Sequence, residues 1–148
     1  MKNVKAQALP ETITFRLGLL GAFMTDRFTT RVAALALKPK HVGMLNALAT
    51  HGPASQMEVA RIMGVAPSLV VTLADHLESL DAITRLRDPG DRRRQLLGLT
   101  DDGRQLLAQC LDAASEIDDE TAGRLSTADR VALHRILGML SEELSLPR

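Results

Sequence analysis

Apolar residues recur at helical spacing along most of the chain. From Glu11 to about Leu37, the positions Ile13, Leu17, Leu20, Met24 and Phe28 form one stripe, and Phe15, Leu19, Phe23 and Val32 form a second beside it. A helix apolar over two faces is buried on both. The pattern therefore predicts one long first helix, buried either inside its own fold or against a partner chain, of which the partner is the favoured reading. Pro39 opens a second predicted helix, to about Thr50, with Val42, Leu45, Leu48 and Ala49 facing inward. His51-Gly52-Pro53 ends it, because glycine and proline interrupt helices.

Ser55, with Glu58 three residues on, has the spacing of a capping box and predicts a short helix to about Met63. Gly64 stands where a helix C-terminus favours glycine. Pro67 then starts a helix carrying Leu69, Val70, Leu73, Leu77 and Leu80 on its apolar side. Helix, short helix, tight turn and helix make a helix-turn-helix by length and turn chemistry.

The period then changes. Ala82 to Arg87 and Gln95 to Leu99 alternate as strands do, with Ile83, Arg85 and Arg87 on one side and Thr84 and Leu86 on the other. Asp88-Pro89-Gly90 between them supplies turn formers, so a β-hairpin is predicted. Thr100, followed by Asp101 and Asp102, caps a helix with acids where its dipole favours them. That helix runs to about Ala122 through Leu106, Cys110, Ala114 and Ile117. Ser126 and Asp129 have capping-box spacing for a last helix with Leu133, Ile136, Leu137, Leu140 and Leu144 on its apolar face. The fold class is mainly α with a small β-hairpin, in one domain of 148 residues.

Charge changes this picture. The formal net charge is zero, yet residues 1–40 carry +5, 41–84 carry −3, 85–94 carry +3 and 95–148 carry −5. Five arginines within 85–94 form a local feature suited to a polyanion. Such a cluster on a bare turn reads as a solvated loop. Following a helix-turn-helix, it reads as the wing of a winged helix. An arginine there suits the narrow, strongly negative minor groove of A·T-rich DNA.

Other chemistry is sparse. The single cysteine, Cys110, lies on an apolar face and reads as a small buried hydrophobe, and one cysteine cannot close an intramolecular disulfide. His41, His51, His76 and His134 are scattered without metal-ligand spacing, so neither metal nor other cofactor is expected. No G-x-S-x-G, H-E-x-x-H, P-loop or C-x-x-C motif supports an enzyme. There is no membrane-spanning apolar run, and the start has no signal-peptide core, so a cytoplasmic protein is expected.

The wing and its return strand carry a specific resemblance. Asp88-Pro89-Gly90-Asp91-Arg92-Arg93-Arg94, followed by Leu97-Gly98-Leu99-Thr100-Asp101-Asp102-Gly103, resembles the MarR family of transcriptional regulators. Leu77-Glu78 resembles the Leu-Glu near the end of that family's recognition helix, and Leu37-Lys38-Pro39-Lys40-His41 resembles its approach to the second helix. The likeness covers roughly residues 10–145 in element order. It implies that Arg93 is the wing-tip arginine of the minor groove, that Asp91 orients it, and that Arg92 and Arg94 touch phosphates, with Arg87 in the same DNA-binding set. Ser55 and Gln56 sit at a helix start suited to phosphate. Pro67, Ser68, Val71 and Thr72 fall on the end of the recognition helix that would enter the major groove.

Two departures stand out. The helix from Pro67 has no Lys or Arg, so readout leans on thymine methyls at Val71 and hydroxyl bonds from Ser68 and Thr72. Asp81 replaces a common glycine, and its poorer tolerance of left-handed backbone implies an altered start to the hairpin.

The resemblance also implies that the first and last helices, about 11–37 and 101–145, pair two chains around DNA-binding lobes at about 39–100. The expected partner is a pseudo-palindromic double-stranded operator, read by a homodimer. Relatives commonly take small phenolic or anionic effectors. The candidates here are Phe15, Arg16, Leu19, His41, Met44 and Arg85, with Arg16 and His41 first as anion partners. The reading is a transcriptional regulator, a repressor released by a small molecule, and not an enzyme. The alternative is a winged-helix adaptor that recruits a protein without binding DNA.

Overall fold

A computed structural model of the chain describes residues 8–146; residues 1–7, part of the stretch read above for a signal peptide, lie outside the described residues. After a 3-10 turn at Leu9–Glu11, helix α1 spans Ile13–Ala33. The Thr12 hydroxyl caps it, accepting from the Phe15 N–H at 3.2 Å. The helix stops short of the predicted Leu37. Residues 34–36 turn, with Ala36 left-handed at φ 58°. That turn drops Leu37 into the core and sets Pro39 as the first residue of α2, Pro39–His51.

The buried positions of α2 are His41, Met44, Leu45, Ala47 and Leu48. Ala49 is exposed and not inward as its spacing suggested, since the buried face centres on residues 44, 45 and 48. Helix α3, Gln56–Met63, begins with a reciprocal box. The Ser55 hydroxyl accepts from the Glu58 N–H, and the Glu58 carboxylate accepts from the Ser55 N–H at 2.8 Å. It ends in paired bonds from Gly64 N–H to the Arg61 carbonyl and from Val65 N–H to the Ala60 carbonyl. This is the Schellman arrangement, which needs a left-handed residue; Gly64 supplies it at φ 64°. Helix α4, Pro67–Ser79, leaves at 107° to α3, within the range of helix-turn-helix pairs.

Strands β1, Ile83–Arg87, and β2, Gln95–Leu99, pair antiparallel in the register Ile83 with Leu99 through Arg87 with Gln95. A third partner was not evident in the sequence. Ala54 exchanges both backbone bonds with Leu97, at 3.0 and 2.8 Å, stitching the α2–α3 connection to β2. Asp81 does not alter the start of the hairpin: it adopts the left-handed conformation itself, φ 57°, and its carbonyl accepts from the Thr100 hydroxyl at 2.6 Å. Thr100 also caps α5, Asp101–Ala122, through the Gly103 N–H at 2.9 Å. Gly103 is required by close approach, because a Cβ there would lie 2.0 Å from the Ala82 carbonyl oxygen.

Helix α6, Thr127–Glu143, starts at Ser126, whose hydroxyl accepts from the Asp129 N–H. The expected reciprocal box is replaced by a hydroxyl-to-carboxylate bond of 2.7 Å between the same two side chains.

One core holds the lobe together. Met44, Leu45, Val59, Val70, Leu77, Ile83, Leu97 and Cys110 are enclosed at the junction of α2, α3, α4, the hairpin and the first half of α5. Burial of Cys110 raises its thiol pKa, in keeping with an inert packing residue. Arg31 of α1 pairs with Glu116 and Glu120 of α5. Among the described residues no single helix is long and apolar enough to cross a membrane; the bent α3–α4 pair is apolar enough together, but its residues Val59, Val70, Leu73 and Leu77 fill the core.

The outer helices differ. Ile13, Leu17, Leu20 and Phe23 of α1 are exposed, and so are Leu133, Ile136, Leu137 and Leu140 of α6. Helix α6 has no buried residue at all. Among the described residues, nothing covers its apolar face.

Candidate nucleic-acid interface

The wing is a folded turn. Asp88 N–H donates to the Arg94 carbonyl at 2.9 Å, and the Asp88 carboxylate accepts from Gly90 N–H at 2.8 Å. Asp91 accepts the Arg93 backbone N–H at 3.0 Å and does not touch the Arg93 guanidinium. Its orienting action is therefore on the backbone: it shapes the loop from which Arg93 projects.

The five arginines divide by role. Arg94 folds back onto the lobe, pairing with Glu58 at 2.5 Å and donating to the Ser55 hydroxyl at 3.3 Å, with Asp88 at 3.7 Å. Arg85 crosses to α4, pairing with Asp75 at 2.8 Å and with Glu78. Arg87, Arg92 and Arg93 are exposed, and among the described residues their guanidinium groups have no acidic partner. Phosphate contact by Arg94, implied by the resemblance, thus competes with an internal role that ties the wing to α3.

That tie is electrostatically well made. Glu58 accepts from the Ser55 N–H and from Arg94, which holds its carboxyl at about 2, well below its ordinary value. Glu58 in turn raises the Arg94 pKa. The ion pair fixes the base of the wing beside the N-terminus of α3 while the tip stays free.

Ser55 and Gln56 line a recess of about 260 Å³ together with Met57, Gln95 and Leu97. A second recess, about 420 Å³, runs past Met57, Arg61 and Gly64 to Pro67. The two meet at Met57, which is 64% exposed. One surface therefore connects the wing, the start of α3, and the start of α4. On α4 the exposed residues Pro67, Ser68, Val71 and Thr72 continue it, with the opposite side buried through Val70, Leu73, Ala74 and Leu77. Arg61, exposed and without an acidic partner among the described residues, is a cation that sequence reasoning passed over. Its position, three residues before the αL glycine and facing the next helix, was the available signal.

The effector candidates do not form one cluster. Met44 is fully buried and belongs to the core. Arg85 is taken up by α4, so neither is presented to a ligand. Phe15 is half-buried while Arg16 and Leu19 are exposed on α1, and the Arg16 Nε–H donates to the Pro10 carbonyl at 3.2 Å. His41 is buried at the start of α2, its Nδ1 accepting from the Lys38 N–H at 2.9 Å. It stacks on His76 of α4 with ring centroids 4.4 Å apart. Burial, then His76 and Lys38, lower its pKa, which keeps the ring neutral with its proton on Nε2.

Known proteins share this arrangement. The sequence model of the MarR family matches residues 37–94, from the end of the first turn to the wing. The HTH-type transcriptional repressor NicR of Pseudomonas putida is 29% identical over 132 residues, 86% of this chain and 84% of that protein. A putative transcriptional regulatory protein for the hcr operon of Thauera aromatica is 36% identical over 102 residues, 69% of this chain and 61% of that protein. Among solved structures, BpsR of Bordetella bronchiseptica, whose DNA binding is regulated by 6-hydroxynicotinic acid, superposes with a TM-score of 0.72 at 26% identity, covering 90% of this chain and 95% of that one. With a helix-turn-helix joined to an arginine wing and relatives matching on both sides of it, the chain belongs to the MarR family of transcriptional regulators.

Proposed function

We propose that two copies of this chain clamp a pseudo-palindromic duplex and repress transcription until a small molecule releases them. The observation that carries the reading is the unbroken surface from the free arginines of the wing, across Ser55 and Gln56, to the exposed start of α4. In it, Arg93 enters the minor groove, with Arg87 and Arg92 on phosphates and Asp91 shaping the loop. Pro67, Ser68, Val71 and Thr72 lie along the major groove, and Ser55 and Gln56 approach the backbone.

Residues 11–37 and 101–145 form the dimer contact, and 39–100 the DNA-binding lobe. The apolar faces left open on α1 and α6 support that division, since a face of this kind is covered in the working assembly. The effector candidates that remain are Phe15, Arg16 and Leu19 on α1 and, separately, His41 at the start of α2; the Arg16 cation or the His41 imidazole N–H suits a carboxylated or phenolic aromatic. BpsR, whose DNA binding is regulated by 6-hydroxynicotinic acid, favours that class. A ligand that prefers lobes spaced wrongly for successive grooves lowers affinity by about 5- to 150-fold, the usual range of allosteric coupling.

The test is selection of bound sites from a random duplex pool, followed by a salt titration and addition of 6-hydroxynicotinic acid. The reading expects an enriched inverted repeat and a steep salt dependence, near 0.9 per neutralised phosphate. An unenriched pool with capture of a single protein partner would replace it with the adaptor reading, which the absence of Lys and Arg from α4 favours.

A further inference from the structure

The exposed stripe of α4 carries Ser68, Thr72 and Asp75 at i, i+4 and i+7. Asp75 is an acid on the side of the helix that the proposed function turns toward a polyanion, and no Lys or Arg shares that helix. An unpaired carboxylate there would weaken binding to every sequence alike. Asp75 is not unpaired. Arg85, reaching over from β1, bonds its Oδ1 at 2.8 Å and is itself anchored on Glu78. Arg85, shared between Asp75 and Glu78, offsets one of the two negative charges and fixes the Asp75 carboxylate, whose side chain is still 63% exposed. Its second oxygen, Oδ2, accepts from no donor among the described residues.

A fixed acceptor facing a major groove can meet only two kinds of base donor, the N4 amino group of cytosine and the N6 amino group of adenine. Adenine places its N7 acceptor beside N6, which opposes a carboxylate. Cytosine presents its donor without that neighbour. We infer that Asp75 is a specificity-determining residue, its free oxygen accepting from a cytosine N4 amino group at one position of each half-site. The inference rests on the DNA binding proposed above.

The test uses the full-length protein with Asp75→Ala and Asp75→Asn, each selecting bound sites from the same random duplex pool. The wild type is expected to enrich cytosine at one position per half-site. Asp75→Ala should relax that position alone by about 5-fold or more, the range of a single base contact. Asp75→Asn should move it to adenine, because an amide pairs with N6 and N7 together. A merely repulsive carboxylate gives a different result: both variants enrich the wild-type motif unchanged and bind every site more tightly, which would overturn the inference. A wild-type pool with no motif at all would remove the proposed function itself, an outcome distinct from an unchanged motif.

Discussion

Leu77 and Leu137 both lie on the apolar stripes of amphipathic helices, yet Leu77 is fully buried and Leu137 is 41% exposed. The difference separates two kinds of structure within the chain. From Leu37 to Cys110 most apolar positions find partners inside the chain, with Met57, Val71 and Leu86 the large exposed exceptions. In the first two-thirds of α1 and along α6, positions of equal hydrophobicity face outward. Amphipathic spacing alone therefore tells which face of a helix will be covered, and not by which molecule. The lobe is specified by its own contacts; the outer helices, among the described residues, leave their apolar faces uncovered.

Breaking each region in turn should give unlike results. Leu77→Ala removes a fully enclosed side chain and should cost about 2–5 kcal/mol in chemical denaturation, loosening α4 against the hairpin. The paired change Leu137→Glu with Leu140→Glu should halve the mass seen by sedimentation. It should leave the lobe's near-native spectrum intact and alter a monomer's stability by no more than about 0.5 kcal/mol, as for ordinary surface sites.

A finer probe lies at the wing's base. Glu58 is ionised in the folded chain down to about pH 2. Its stabilising effect is fully present above the ordinary carboxylate range and fades as pH falls toward that value. Glu58→Gln should flatten this part of the acid-unfolding curve and free the wing from α3. The smallest effect is expected at Asp81→Gly, where relief of the left-handed conformation offsets glycine's greater freedom in the unfolded chain, leaving stability within about 1 kcal/mol of the parent.

The sequence made the lobe readable because its punctuation is local. The Ser55–Glu58 box, Gly64, Pro67 and the Asp88-Pro89-Gly90 turn each act within a few residues, and the structure keeps all of them. What it left unreadable depends on distant partners. The end of α1 is set by the packing of Leu37 and not by a glycine or proline. The pairing of Ala54 with Leu97 spans the whole helix-turn-helix. The arginines of 85–94 look alike in sequence, but Arg85 and Arg94 are claimed by acids on α4 and α3, a division visible only once those helices are placed. Asp75 was passed over for the same reason, since its partner is on a strand ten residues away.

Fluorescence anisotropy of the wild type and Arg93→Ala on one selected duplex, across a range of salt, tests the central claim most directly. If a wing arginine from each of two chains enters the duplex, Arg93→Ala should weaken binding about 10-fold or more, as loss of charge-assisted contacts does. The slope of log affinity on log salt should become shallower by about 1.8, roughly 0.9 for each wing. Equal affinity and an unchanged slope in a variant that remains folded and dimeric would contradict the clamp.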